Sequence, residues 1–398
     1  MPRPKTLVII LAGGAGGRLE LLTKSRAKPA VPFGGVYRLI DFPLSNCLHS
    51  GLADVWVIEQ FNPVSLTDHL ANGRPWDLDR TNGGLLVLHP RLGEGAEGWH
   101  QGTADALWRN AALIREYGAD ALVVLSADAV YTLDYSAVVE QHLDSGADAT
   151  MVTTRVDPQD AARYGVVDTD DQGRVIDYAY KPDQPGGDLV SNEVFVFEPR
   201  RLLDLLDEEA GEAGEEGLRD LGHRVLPQLV RDGGGREYRF EGYWQDVGTG
   251  DSYWSAHMDL LAADAPIRLD DPEWPIYTVG GTRGPARVFP GALVGDALLA
   301  PGVRGYGIVD KAVLGPGVTV KEGATVKDAV VLHDTVIEPG ATVERAVVDS
   351  GVRVLAGARV GGLHTRDADN NAITLVGQGQ TVPRGAQLLP GARYPDGQ

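Results

Sequence analysis

Short aliphatic runs separated by helical periodicity fill the first two thirds of the chain, and a shorter, glycine-punctuated period fills the rest. Leu7–Leu11 is an aliphatic run that ends directly in Ala12–Gly13–Gly14, the pattern of a buried strand followed by a glycine loop. Runs of the same kind follow at Val55–Ile58, Ala121–Leu125, Thr150–Thr154 and Val194–Phe197, with helix-like stretches such as Ala104–Glu116 and Ser136–Leu143 between them. This alternation predicts an α/β domain over residues 1–263, with a parallel or mixed sheet covered by helices on both faces. Ligands of such sheets bind beyond the carboxyl ends of the strands, where the glycine loop lies. Asp204–Gly217 is acidic and rich in Ala and Gly and reads as a solvated helix end and loop, and the Pro, Gly and Asp of 264–286 mark a linker.

From residue 287 to 398 aliphatic residues recur about every six positions, at Val318, Ala324, Val330, Val336, Ala341, Val347, Val352 and Ala358. Gly315–Pro316–Gly317, Glu322–Gly323 and Pro339–Gly340 supply corners between them. A hexapeptide period with small corner residues predicts a parallel β-helix whose coils share one aliphatic stack, and the register slips by one residue twice. Asp367–Gln398 has a weaker pattern and reads as a capping tail. A domain of this kind is expected to mediate assembly.

Composition narrows the partners. The 398 residues carry a net charge of −20, which repels nucleic acid and anionic membranes, so neither is expected as a partner. Small phosphorylated substrates remain open where local cations and a divalent metal reverse the field. Cys47 is the only cysteine, so no intramolecular disulfide forms, a reducing cytoplasm fits best, and Cys47 reads as a buried small hydrophobe. The apolar run at Thr6–Leu11 is too short to span a membrane and has no cleavage-site pattern.

The candidate chemistry begins at Gly13–Gly14–Ala15–Gly16–Gly17–Arg18. Glycines after a strand let backbone N–H groups approach phosphate oxygens, and an arginine adds bidentate charge. Arg26–Ala27–Lys28–Pro29–Ala30 follows closely and strengthens the case for a triphosphate. With Tyr37–Arg38–Leu39–Ile40–Asp41–Phe42–Pro43–Leu44–Ser45–Asn46–Cys47, these segments resemble the ADP-glucose pyrophosphorylase (glucose-1-phosphate adenylyltransferase) family. Gly102–Thr103–Ala104–Asp105–Ala106, Tyr164–Gly165–Val166, Lys181–Pro182, Trp244–Gln245–Asp246–Val247–Gly248–Thr249 and Trp274–Pro275–Ile276 extend the likeness in the family's order over nearly the whole chain.

The resemblance implies a Rossmann-like nucleotidyltransferase domain with a mixed sheet, then a left-handed parallel β-helix, in a dimer or tetramer. It implies catalysis by Arg18, Lys28 and Asp128. Gly13, Gly14, Gly16 and Arg18 would hold the triphosphate of the nucleotide, and Gln60, Gly102 and Thr103 its base and ribose. Lys181 would bind the phosphate of a sugar 1-phosphate within a pocket that includes Gly165, Tyr180, Ser191 and Glu193. Asp128 and Asp246 would hold Mg²⁺, a hard cation suited to carboxylate oxygens. Taken singly, Asp128 reads better as a helix N-cap and Asp246 as an Asx turn, and only the resemblance favours metal binding. No protein nucleophile is needed, because a phosphate carrying roughly −1.5 to −2 charge already attacks in line.

Departures from the family pattern cluster. Ala127–Asp128–Ala129 stands where the family reads Gly-Asp-His, Tyr180 where it has Glu, and Ser191–Asn192–Glu193 where it has Ser-Met-Gly. Ala15 and Gly17 replace an arginine and a threonine, and Ser25 an expected lysine, so weak allosteric activation is expected. A carboxylate lost at 180 and resupplied at 193 suggests a rebuilt acceptor pocket. It would suit a carbocyclic, valienol-type phosphate with ATP or GTP as donor. The alternatives are an ordinary glucose-1-phosphate adenylyltransferase and an inactive regulatory subunit. An acyltransferase using His333 in the helix is a further, remoter reading.

Overall fold

The computed structural model describes residues 3–14, 16–90, 98–212, 214, 217–362 and 373–395. Besides a short hairpin of Pro32–Phe33 with Tyr37–Arg38, the strands of the first domain are β1 (Thr6–Ala12), β2 (Asp54–Glu59), β3 (Gly84–Leu88), β4 (Ala121–Ser126), β5 (Ala129–Tyr131), β6 (Ala149–Arg155), β7 (Gly165–Thr169), β8 (Val175–Tyr180), β9 (Leu189–Phe197), β10 (Gly235–Arg239) and β11 (Trp244–Asp246). Nine of them form one mixed sheet along the order β8-β7-β9-β4-β1-β2-β3, with β6 pairing β9 and β10. β1 lies parallel between β2 and β4, whereas β9 runs antiparallel to β4 and β6. The aliphatic runs read from the sequence thus fall in the centre of the sheet, where both faces are buried. Leu7 and Ile9 face one core and Val8 and Ile10 the other.

The stretch Ala104–Glu116 is not one helix. It breaks at Asn110 (φ −103°) into Thr103–Arg109 and Ala111–Tyr117, and the Asn110 amide donates back to the Ala106 carbonyl at 2.8 Å. Asparagine competes for backbone partners in this way, which helical periodicity alone does not register. Cys47 is fully buried in the Asp41–His49 helix, and desolvation drives its thiol pKa up.

The second domain is a parallel β-helix. Strand registers step from Ile308 to Thr325, Thr342 and Arg359, so the coil repeats at 17 residues rather than at three hexapeptides. Lys311, Asp328 and Arg345 take left-handed backbone at equivalent corners. The shorter coil changes which side chains face inward. Val318, Ala324, Ala341, Val352 and Ala358 join the internal stack as expected, but Val330 and Val347 point outward into the interface with the first domain, and Val336 is only half-buried. Ile337 takes the inward place beside it. The expected capping tail also differs. Thr374–Val376, Thr381–Val382, Gln387–Leu388 and Arg393–Tyr394 continue the ladders, and Val376 and Val382 enter the same stack. The longer step from Arg353 to Thr381 conceals this coil from a fixed-period reading. Residues 367–372 and 396–398 of that tail, and 213, 215 and 216 of the acidic stretch, lie outside the described residues.

The β-helix is docked on the first domain. Its Val330, Leu332, Val347, Ile373 and Leu375 share an apolar cluster with Leu19, Leu22, Phe33 and the Tyr253 face of the Gly250–Asp259 helix. Trp254 Nε1 donates to the Asp328 carbonyl at 2.7 Å, and the Arg345 guanidinium lies over the same indole. Beside the glycine loop, Arg26 pairs with Asp349 at 2.9 Å, both side chains buried, and Ser25 donates to Gln378. Removing one member of a buried pair leaves the other desolvated and unpaired, at a cost of about 3–5 kcal/mol. Asp349→Ala is therefore expected to lower stability by about that amount in chemical unfolding; an unchanged midpoint would show that the pair contributes nothing to docking.

Candidate active site

One cavity of about 300 Å³ opens at the carboxyl ends of β1 and β4. Its wall includes Gly13, Gly14, Arg18, Lys28, Gln60, Gly102, Thr103 and Asp128 on one side of the sequence reading, and Gly165, Tyr180, Lys181, Ser191, Glu193 and Asp246 on the other. Gly16 does not line it. Its positive φ of 65° makes the turn whose carbonyl takes the Leu19 N–H and the Thr23 hydroxyl, so its role is to shape the loop. Ala15, singled out among the departures, lies outside the described residues. His333 sits on the β-helix beside Asp334, away from the cavity wall.

Asp128 follows β4 and Asp246 ends β11, far apart in sequence. The two-stranded ribbon β5–β11 brings them together, because Asp246 pairs with Ala129 and the Val247 N–H donates to the Asp128 carbonyl at 3.1 Å. The Lys28 ammonium stands 2.8 Å from Asp128 Oδ2 and 3.5 Å from Asp246 Oδ1. Ser126 donates to Asp128 Oδ1 at 2.5 Å, and Arg163 reaches Asp246 Oδ2 at 3.0 Å. Gly248 leaves room for the Asp246 carboxylate, whose Oδ2 would lie only 2.6 Å from a Cβ placed there, and Arg18 Nη2 would lie close by at 3.4 Å. Burial pulls the Lys28 pKa down, but Asp128, Asp246 and Glu193 outweigh it and hold the ammonium above its ordinary value. Burial likewise pushes Asp128 up, and Lys28, Ser126 and Arg18 more than reverse this. Asp246 ends above its ordinary value because burial and Asp128 outweigh Lys28 and Arg163. No cluster of three or more metal-ligating side chains occurs among the described residues. Two adjacent carboxylates fit Mg²⁺ nonetheless, since that ion keeps waters and substrate phosphates as its remaining ligands.

The cavity wall around Gly102 and Thr103, where the nucleotide base and ribose are expected, is closely packed against Arg219–Leu221. Gly102 has φ 152°, and a Cβ there would collide with the Arg219 carbonyl. The Thr103 N–H donates to Asp220 at 3.0 Å, and the Thr103 hydroxyl accepts from the Leu221 N–H at 2.9 Å. Gln60 spends its amide on the His100 backbone, donating to the carbonyl at 3.2 Å and accepting from the N–H. It therefore holds the cavity wall rather than presenting a free amide.

At the end of the cavity expected to take the acceptor, β9 bulges between Ser191 and Phe195. Glu193 sits in the bulge at φ 59°, its N–H bonded to the Ser191 hydroxyl at 3.2 Å. Burial first, and Asp128 next, push its carboxyl up to about 7. Asn192 beside it is buried with neither amide atom paired. Asn192, Arg163, Asp220 and Gly222 all line the cavity and escaped the sequence reading. Only Asn192 had a signal, since it is itself one of the departures, standing where the family pattern has Met. A left-handed non-glycine residue carrying a half-buried carboxylate is strained. Glu193→Gly should therefore raise stability by about 1 kcal/mol while altering acceptor KM, a combination read by unfolding and steady-state kinetics on one preparation. Lower stability in the variant would show that the carboxylate is paired.

A glycine loop and paired carboxylates at the switch point of a mixed sheet, joined to a parallel β-helix, define a nucleotidyltransferase architecture. The family model for nucleotidyl transferases matches residues 7–263, and one for a GlmU-like C-terminal hexapeptide domain matches 291–382. The glucose-1-phosphate adenylyltransferase of Thermomicrobium roseum is 42% identical over 98% of this chain and 96% of its own length. That of Acetivibrio thermocellus is 36% identical over 98% and 92%, and that of Thermotoga neapolitana 41% over 81% and 76%. The chain thus belongs to the nucleotidyl transferase family, among the glucose-1-phosphate adenylyltransferases, and is a sugar-1-phosphate nucleotidyltransferase. No helix among the described residues is long and apolar enough to cross a membrane.

Proposed function

We propose that this enzyme transfers the adenylyl group of ATP to glucose 1-phosphate. An acceptor phosphate oxygen forms a bond to the α-phosphorus, the bond to the bridging oxygen breaks, and pyrophosphate leaves with that electron pair. The observation that carries the reading is the Lys28 ammonium held between Asp128 and Asp246 in the cavity that also receives Arg18 and Lys181. Arg18 and Lys28 offset the charge on the triphosphate, and Lys181 takes the acceptor phosphate. Gly13 and Gly14 let the chain approach the phosphates closely. Asp128 and Asp246 would hold Mg²⁺, which supplies further neutralisation of phosphate charge when bound.

The names of the relatives favour adenine and glucose. The carbocyclic acceptor suggested by Tyr180 and Glu193 draws no support from them, and the ordinary acceptor is the one proposed here. The test is pyrophosphate release with Mg²⁺, crossing ATP and GTP with glucose 1-phosphate and a valienol-type phosphate. Turnover is expected with ATP and glucose 1-phosphate, and Asp246→Asn should lower its kcat by about 10² or more without unfolding the chain. Turnover confined to the carbocycle would reverse the acceptor assignment. Assembly into a homo-oligomer through the β-helix belongs to the same reading. The first two coils support it by leaving Val288, Leu293, Val294 and Ile308 exposed. Sedimentation at micromolar concentration should show a dimer or tetramer, and a monomer alone would remove this part.

A further inference from the structure

Tyr180 stands where the sequence suggested a contact with the sugar, yet its hydroxyl is already engaged. It donates to Asp220 Oδ2 at 3.0 Å and accepts from the Lys181 ammonium at 2.9 Å. The other Asp220 oxygen takes the Thr103 N–H at 3.0 Å. An unbroken chain therefore runs from the Thr103 turn at the nucleotide end, through Asp220 and Tyr180, to the lysine at the acceptor end.

The ring is seated to serve this chain. Gly222 lies against it so closely that a Cβ there would overlap the ring, and His223 packs edge-on at 4.8 Å between centroids. Lys181 itself is exposed, takes left-handed backbone (φ 46°) and donates its N–H to the Tyr164 carbonyl at 3.0 Å. A long exposed lysine has many rotamers, and a fixed hydroxyl beside its ammonium removes most of them before substrate arrives. Asp220 orients that hydroxyl, leaving its lone pair for the ammonium.

We propose that Tyr180 is a positioning residue that acts through Lys181, with Asp220 as its anchor, and that it pre-sets the acceptor-phosphate site. The proposal rests on Lys181 as the ligand of the acceptor phosphate, as argued above. It predicts an effect on acceptor binding that vanishes once Lys181 is gone.

A double-mutant cycle of Tyr180→Phe and Lys181→Met tests this. The wild type and three variants are assayed by pyrophosphate release with the sugar 1-phosphate the wild type uses. Any variant too slow to assay is measured by equilibrium dialysis of the labelled acceptor. Tyr180→Phe keeps the ring in its slot and removes only the hydroxyl. It should raise acceptor KM roughly tenfold, with kcat and the KM for nucleotide within about twofold. In the Lys181→Met background the same change should alter acceptor affinity less than about twofold. Asp220→Asn retains one acceptor oxygen and one donor, and should fall between wild type and Tyr180→Phe. Equal effects of Tyr180→Phe in both backgrounds would show direct contact with the sugar and overturn the proposal, as would an unchanged KM in the single variant. If the wild type uses an acceptor other than glucose 1-phosphate, the functional reading above fails while the cycle still reads the positioning role. If Lys181→Met itself leaves acceptor affinity intact, both the role of Lys181 and this proposal fall.

Discussion

The arrangement on which the rest depends is a charge problem with one solution. Two carboxylates, the half-buried Asp128 and the buried Asp246, lie close enough to repel one another, and the Lys28 ammonium lies within reach of both. In a medium of low dielectric such a pair is costly unless compensated, and compensation here comes from Lys28, Arg18, Arg163 and the Ser126 hydroxyl. Each of these groups reaches the pair from a different element. The glycine loop, the turn after β4, the segment before β7 and the β5–β11 ribbon must all be in place for any one of them to be stable. A site preloaded with balanced opposing charges also needs little rearrangement to accept polyphosphate and a divalent cation.

That requirement extends into the β-helix. Arg26 lies only two residues before Lys28, and its partner Asp349 belongs to the second domain. The outward-facing Val330 and Val347 press on the Gly250–Asp259 helix, which begins four residues after Asp246. The two domains are thus joined beside both ends of this charge cluster. Position of the loop and position of the coils are linked by packing, which behaves as a rigid body rather than as a spring.

Much of this was legible in the chain and some was not. The aliphatic runs revealed the central strands because a strand buried on both faces must be apolar throughout. Lys28, Asp128, Asp246 and Lys181 were recognisable because their motifs are long and ordered. The two one-residue slips in the six-residue period were the visible trace of the 17-residue coil, but the period does not say which aliphatic positions face inward, and Val330 and Val347 turn to the docking face instead. Asp220 and Gly222 were invisible because their importance lies in what they touch. Their neighbours in sequence form no pattern, and only folding sets them against Thr103 and Tyr180. Asn110 shows the converse, a local hydrogen bond overriding a good helical period.

The repeat of 17 residues has a consequence for how this domain could change length. Neighbouring coils are nearly interchangeable inside, where valine stacks on valine, but not outside. Moving back one coil from Asp349 gives Leu332, and no second carboxylate waits at that register. Deleting or duplicating a coil between these positions would shift the acidic partner of Arg26 by one strand spacing, about 4.8 Å, and strand the guanidinium in an apolar seam. Whole coils can be gained or lost at the Arg287 end without disturbing that alignment. The interior of the β-helix is a repetitive polymer, whereas its docking face is a unique address, and growth of the domain is confined to one direction.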